Sequence, residues 1–415
     1  MRRPAPPTAS RRRLVLGGGV AAAALAVFRY PDAVRAGSAS DARPPAGFRK
    51  GGLDAVDAVV REAIAERAFP GGVLAIGRHG SLAHLRAFGK LSYDDGAAEV
   101  RPDTIYDLAS LTKVVVTTTL AMMLVDEGKL DVAARVSKFQ PKFTGGAKDK
   151  VTLRQLLTHS GGLLWWAPLY KDVQGQAAYL EKIVAMDLAY EPGSKSVYSD
   201  LGLILLGDVV ERLGGAPVGE LAQKRVTGPL GMKDTLYRPP AALVPRIAPT
   251  ENDPWRGRVL RGEVHDENAF ALGGIAPHAG LFGAAPDLAR FASVLLDEGR
   301  FESGRLVSQA TLELFTVRAG VPLASRALGW DTPANETGVR SSTPGAPGYT
   351  SAGTLLSSRS FGHTGFTGTS MWMDPERELY VILLTNRVHP TRENNAIRAV
   401  RADVADAAVR ALEQP

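Results

Sequence analysis

Between Leu53 and Phe69 the stretch LDAVDAVVREAIAERAF spaces apolar residues three and four apart, with charged residues between them, and so predicts an amphipathic helix. The period then changes. GGVLAIGRHGSLAHLRAFGKLS, from Gly71, reads as two strand-like runs turning at His79-Gly80. Near the other end, SFGHTGFTGTSMWMDPERELYVILLTN, from Ser360, gives two more strand-like runs with a turn at Asp374-Pro375. ENNAIRAVRADVADAAVRALEQ, from Glu393, closes as an amphipathic helix. The middle, from Ser110 to about Glu313, is mainly helical segments broken by Gly and Pro loops, with no internal repeat. Terminal strands bracketing a helical middle predict an α/β (α+β) fold: an antiparallel sheet from residues of about 51–105 and 325–412, flanked by the terminal helices, with a mainly helical region of about 107–320 inserted.

One helix of that middle carries chemistry at its start. In YDLASLTKVVVTTTL, from Tyr106, Ser110 and Lys113 stand three apart, so on a helix the lysine amine can reach back to the serine hydroxyl. The following VVVTTTLAMMLVDEGKL is apolar or small for three turns, which buries the helix on most faces. A lysine at such a place is a candidate base. It can take a proton only when neutral, and lowering a lysine pKa from ~10.4 to about 7 costs on the order of 4 to 5 kcal/mol, which burial or adjacent positive charge supplies.

The 415-residue chain is 45% hydrophobic, enough for a sizeable core, and has no cysteine, which excludes disulfides and thiol chemistry. Residues 1–36 combine an arginine cluster, a short apolar run rich in Gly and Ala, and small residues around Val34-Arg35-Ala36. They read as an export signal, with Ser10-Arg11-Arg12-Arg13-Leu14-Val15-Leu16 resembling the twin-arginine type, and residues 37–50 read as a linker to a domain at 51–412. That implies a periplasmic or extracytoplasmic protein with no stable membrane span after cleavage. An uncleaved anchor is the alternative. Without residues 1–36 the formal charge falls from +6 to 0, so the basic pI belongs largely to the signal and does not point to nucleic acid.

Two later stretches complete a pattern: Tyr198-Ser199-Asp200 in EPGSKSVYSDLGLILLGDVVERL, and His363-Thr364-Gly365 in FGHTGFTGTS. With Ser110-x-x-Lys113 they follow the order S-x-x-K, Y-x-[ND], [KH]-T-G, which resembles the serine β-lactamase and penicillin-binding protein superfamily, in its class C-like branch. LLTHSGGL, GPLGMKDT and GEVHDENAFALGGIAPHAGLF resemble a subgroup associated with peptidoglycan turnover. The resemblance implies an acyl-enzyme on Ser110, Lys113 and Tyr198 as acid/base groups, His363 at the opposite wall, and an oxyanion hole from the backbone N–H groups of Ser110 and Phe366. Gly362 and Gly365 would let the strand approach substrate, and Thr364, Gly365 and Asp200 would contact it.

Two positions depart from most relatives. His363 stands where β-lactamases mostly have lysine. With a pKa near ~6.5 it is only about one quarter charged at pH 7, losing an attraction of about 4 kcal/mol for a substrate carboxylate at roughly 4 Å. Asp200 stands where many have asparagine, and its charge opposes a neutral Lys113, so it should be paired or face a donor on the substrate. His265 and Asp266, in the polar run through Asn268, are candidates for substrate contact or a structural loop; no metal spacing supports a metal site. His159 should hold a loop, and His79, His84, His278 and His389 are structural or surface groups. The expected activity needs no cofactor: hydrolysis of an amide bond in a cell-wall fragment, by D-Ala peptidase or muramoyl-peptide amidase action. A carboxylesterase, a weak β-lactamase, or a binding protein without turnover are the alternatives.

Overall fold

The computed structural model describes residues 47–333 and 339–413. The expected signal and residues 37–46 of the linker lie outside the described residues. The end of that linker belongs to the domain instead: Phe48 is fully buried and bridges to Leu412, and the Arg49 N–H donates to Ala411 O at 2.8 Å. No helix among the described residues is long and apolar enough to cross a membrane.

The first helix, α1 (Gly52–Ala65), is followed by the expected hairpin of β1 (Gly71–Arg78) and β2 (Ser81–Gly89). His79 and Gly80 both take positive φ, 51° and 71°, as a two-residue turn matched to strand twist requires. From the C-terminal part come β3 (Phe361–Thr364), β4 (Ser370–Asp374) and β5 (Leu379–Thr385), where the pattern predicts only two runs. Gly365 and Gly368 explain the extra division. The Gly365 N–H donates to Thr369 O at 2.7 Å and Gly368 takes φ 121°, so the chain reverses inside what reads as one run.

The five strands form one antiparallel sheet in the order β3-β4-β5-β1-β2, joining the two ends of the chain. Strand alternation sends side chains into two cores. Leu74, Ile76, Val381 and Leu383 pack with Val56 and Val60 of α1 and Val404 of the last helix, α5 (Ile397–Arg410). Val73, Ala75, Ile382 and Leu384 face the inserted region, where α4 (Ala285–Leu296) contributes Ala289 and Phe291. The insertion is mainly helical, as expected, but also holds three small sheets of strands two to four residues long, such as Ile105–Asp107 with Leu281–Ala284 and Leu236–Tyr237. Strands that short carry no visible period.

Two helices of the insertion shape the site. Lys113–Thr118 winds as a π-helix before continuing as α2 (Thr119–Asp126). Its β-branched run Val114-Val115-Val116-Thr117-Thr118 fits a wide turn, and the Thr119 hydroxyl donates to Val114 O at 2.8 Å, inserting a side chain into the ladder. Helix α3 (Asp200–Gly214) begins at Asp200, with Ser199 capping it by accepting from the Gly202 N–H at 3.1 Å.

Gly207, in α3, lies against Pro277: a Cβ there would stand 2.0 Å from Pro277 Cγ. The next two carbonyls serve the π-helix, Pro277 O accepting from Thr117 Oγ1 at 2.6 Å and His278 O from Lys113 Nζ at 2.7 Å. Gly207→Ala gains at most about 1 kcal/mol of helix propensity but overpacks this contact at a cost of about 1–3 kcal/mol. A net loss of stability is expected by urea denaturation, with reduced activity in the fraction that stays folded; a stabilised variant would show that the Pro277 loop can retreat freely.

Candidate active site

Ser110 follows Ala109, a non-glycine residue at φ 46°, and so leaves the short strand Ile105–Asp107 on a sharp turn. Asp107 fixes that turn by accepting from the Ala109 N–H at 2.9 Å, while its other oxygen accepts from the His265 N–H at 2.7 Å. The result presents the partly exposed Ser110 beside the buried Lys113, whose amine donates to Ser110 Oγ at 2.9 Å. Helical reach was legible in the sequence; the strained Ala109 was not.

The Lys113 amine also donates to His278 O at 2.7 Å and lies 2.7 Å from Asp200 Oδ1. The amine is thus surrounded by the oxygens of Ser110, His278 and Asp200, with the Tyr198 hydroxyl also in hydrogen-bonding contact. Burial lowers the lysine pKa, as expected, but the Asp200 carboxylate and Tyr198 more than offset it, and the amine is held as an ammonium above its ordinary value. The expectation that burial yields a neutral lysine is corrected here: Asp200 is paired, and with Lys113.

Tyr198 packs over Lys113, the ammonium 5.1 Å from its ring centre. Burial raises the phenol pKa, and contacts with Lys113 and Ser110 only partly reverse that, so Tyr198 is neutral in the resting site. His159 positions this segment, its Nδ1 accepting from the Ser199 N–H at 3.0 Å. Across the cleft, the buried His363 has its ring centre 5.9 Å from that of Tyr198 and donates from Nδ1 to Thr364 O at 2.8 Å. Its Nε2 is buried without a hydrogen-bond partner. Burial, then Arg326 and Lys113, push the His363 pKa well below its ordinary value. Sequence reasoning allowed a partial charge; the structure makes His363 neutral.

Arg326 was missed. Its guanidinium lies 5.1 Å from the Tyr198 ring centre and pairs with Asp331 at 2.5 Å, and no motif in the sequence marked it. The backbone carbonyl of His278 was missed as well, because only side chains carry a sequence signal.

The Gly365–Thr369 turn forms the remaining wall. The Thr367 hydroxyl donates to Asp107 O at 2.6 Å and the Thr369 hydroxyl to Leu108 O at 3.0 Å, tying the turn to the segment that carries Ser110. From behind, Arg401 of α5 donates to Gly365 O at 2.6 Å and Thr369 O at 2.8 Å, and Arg387 donates to Phe366 O at 2.8 Å. This frame sets the turn that carries Phe366 against the Asp107-Leu108 segment that leads to Ser110. The two glycines have tighter reasons than access for substrate: a Cβ on Gly365 would lie 2.4 Å from Leu108 O, and one on Gly362 2.4 Å from Met371 O. Thr364 stays partly exposed on this strand.

His265 and Asp266 are committed to internal contacts, the structural-loop alternative. His265 is buried, stacks on Phe366 with ring centres 5.6 Å apart, and donates to Glu251 at 2.9 Å. Asp266 caps the helix Glu267–Ala271 by accepting from the Ala269 N–H at 2.7 Å and accepts from His278 Nε2 at 3.0 Å. The polar run thus braces the loop whose carbonyl holds Lys113. His84 pairs with Asp57 at 2.6 Å, His389 donates to Thr250 O at 2.8 Å, and His79 meets Glu378 on the surface at 2.7 Å.

A serine with a lysine one turn on, a tyrosine over both, and a strand-to-turn wall opposite define a serine hydrolase site, and the chain belongs to the Beta-lactamase family, whose pattern matches residues 56–406. Among its relatives, the N-acetylmuramyl-L-alanine amidase of Bacillus subtilis (strain 168) is 33% identical over 81% of this chain and 81% of its own length. A protein of Escherichia coli (strain K12) with the provisional name D-alanyl-D-alanine carboxypeptidase is 32% identical over 83% of this chain and 84% of its own. The solved class C beta lactamase, at 20% identity and TM-score 0.69, covers 87% of this chain and 98% of its own, and shares the mixed α/β fold with its helical insert.

His159 and His363 give the protein an acid limit. Each is buried, and burial holds each pKa well below the ordinary histidine value. The unfolded chain therefore binds more protons below pH ~6.5, so this share of stability is complete above that pH and is lost as pH falls, by up to about 1.4 kcal/mol per unit for each group. Urea denaturation between pH 7.5 and 5.5 should show a shallower pH slope in His363→Gln than in wild type; identical slopes would mean that His363 titrates normally.

Proposed function

We propose that this chain is an exported serine hydrolase that forms an acyl-enzyme on Ser110 and cleaves an amide bond in a peptidoglycan fragment. The observation that carries the chemistry is the Ser110–Lys113–Tyr198 cluster facing the Phe366 backbone. Ser110 Oγ attacks the substrate carbonyl, and its proton passes to the Lys113–Tyr198 pair after that pair has lost one proton. The Ser110 and Phe366 N–H groups receive the developing oxyanion. Tyr198 returns a proton to the leaving amine, and water then releases the acyl group by the same route.

Three features support an amide of the cell wall as the substrate. The relatives named above carry names of that kind. The arginine-bearing N-terminal segment suits export to where peptidoglycan lies. The neutral His363 gives no charge to a substrate carboxylate, and Arg326 is already engaged by Asp331, which disfavours penicillins. A small uncharged ester would meet the same neutral wall, so esterase action is the second reading.

A fluorophosphonate should label Ser110, and Ser110→Ala should lose activity by on the order of 10⁴-fold or more on every substrate with the fold intact. Muropeptides, short acyl esters and a chromogenic cephalosporin, compared by kcat/KM, distinguish the readings; label on another serine, or turnover confined to esters or to the cephalosporin, would refute the proposal.

Asp200→Asn removes the anion that keeps Lys113 charged. Its rising limb of kcat/KM against pH should move to lower pH than in wild type, because less alkali is needed to take one proton from the Lys113–Tyr198 pair. An unmoved limb would separate that ionisation from catalysis.

A further inference from the structure

Beside Asp200 begins a row of aromatic side chains that the proposed chemistry does not use. The Asp200 N–H donates to Trp165 O at 3.0 Å, so the loop carrying Trp165 and Trp166 borders the cluster around Lys113. Trp165 stacks on Trp166 with ring centres 5.7 Å apart; Tyr170 follows at 6.3 Å, then Trp255 at 4.5 Å, edge-on. The row is open at both ends, with Trp165 61% and Trp255 43% exposed.

A continuous row of large aromatics, exposed at its two ends and half-buried at Trp166 and Tyr170, marks a contact surface. This one is also held stiffly. Asn268, fully buried, donates to Ala167 O at 3.0 Å and accepts from the Tyr170 N–H at 3.1 Å, which fixes the loop. Behind Trp255, Phe270 packs edge-on at 5.8 Å and the Arg256 guanidinium lies 5.5 Å from the Trp255 ring centre. That guanidinium in turn donates to His265 O at 2.6 Å. A platform fixed in this way loses little freedom when a ligand settles on it.

The loop that bears the first two rings is bonded to Asp200, itself 2.7 Å from Lys113, so the row adjoins the cluster around Ser110 and suits a part of the substrate better than a separate partner. Its members are indoles and a phenol, apolar in body with a polar edge, which suits a ligand that itself has an apolar face and polar rim. A pyranose ring has that form: axial C–H bonds on its faces, hydroxyl and acetamido groups around its edge. We infer that the Trp165–Trp166–Tyr170–Trp255 row is a sugar subsite, which takes the N-acetylated pyranose of a muramyl peptide and so directs cleavage to the amide between the sugar acid and its peptide. This rests on the peptidoglycan-amide reading above and narrows it, since a D-Ala peptidase has no use for a sugar beside its scissile bond.

The test compares two probes with the same lactyl–alanine amide: N-acetylmuramyl-L-alanyl-D-isoglutamine, and D-lactyl-L-alanyl-D-isoglutamine, which lacks the sugar. Calorimetric titration of the full Ser110→Ala protein should show the muramyl probe binding roughly tenfold or more tightly than the sugar-free one. In the Trp165→Ala and Trp255→Ala backgrounds that ratio should fall towards one, and Trp165→Tyr should restore part of it. Because the ratio is taken within each protein, a general loss of folding cancels. Equal affinity for the two probes, or a preference that survives both alanine variants, would overturn the subsite. The same pair separates the subsite from the reaction. If wild type cleaves neither probe while the aromatic-dependent preference persists, the reaction assignment fails and the subsite stands; if wild type cleaves both with equal kcat/KM, the reaction stands and the subsite fails.

Discussion

The ammonium of Lys113 lies almost wholly inside the protein, and a buried cation without partners costs several kcal/mol. Much of the insertion supplies those partners. Helix α3 begins where it does so that Asp200 meets the amine, and Ser199 and His159 hold that beginning in place. The Pro277-His278 segment presses into the gap left by Gly207 and turns a carbonyl towards the same amine, while Asp266 steadies the His278 ring. The π-helical turn sets Lys113 at the meeting point of these elements. Architecture and chemistry depend on one charge.

The cleft around that charge is electrically balanced. Lys113 is matched by Asp200 and Arg326 by Asp331, and the two histidines nearest Tyr198 are neutral. A cleft balanced in this way has little net charge to draw an ion from a distance, which leaves recognition to local contacts. This differs from a wall with lysine at the position of His363, where a permanent positive charge would select carboxylates.

The outline of the fold was legible because long elements advertise their period. The α1 helix, the His79-Gly80 hairpin, β5 and α5 each repeat their pattern often enough to be read, and they place the sheet at the two ends of the chain. The division between β3 and β4 was not legible, because Gly365 and Gly368 sit in a run whose flanks both favour strands. In the site, Ser110 and Lys113 were singled out by residue type and spacing, Tyr198 and His363 by resemblance to a family pattern, and the fold brings the four together. Arg326 and the His278 carbonyl were not singled out, since a lone arginine and a backbone oxygen look like any others until folding brings them near. The protonation of Lys113 was decided by a contact across 87 positions of sequence, which spacing cannot convey.

The turn that offers the Phe366 backbone is held from behind by Arg401, a buried guanidinium from the last helix that is spent on two carbonyl oxygens. Its burial lowers its pKa to about 9, yet it remains charged at neutral pH. The consequence concerns time. A ribosome making this chain completes Ser110 and Lys113 long before the turn, and the turn before the arginine that fixes it. The wall of the cleft that Arg401 holds is therefore fixed only once Arg401 has been made, however much of the helical insertion has formed before it.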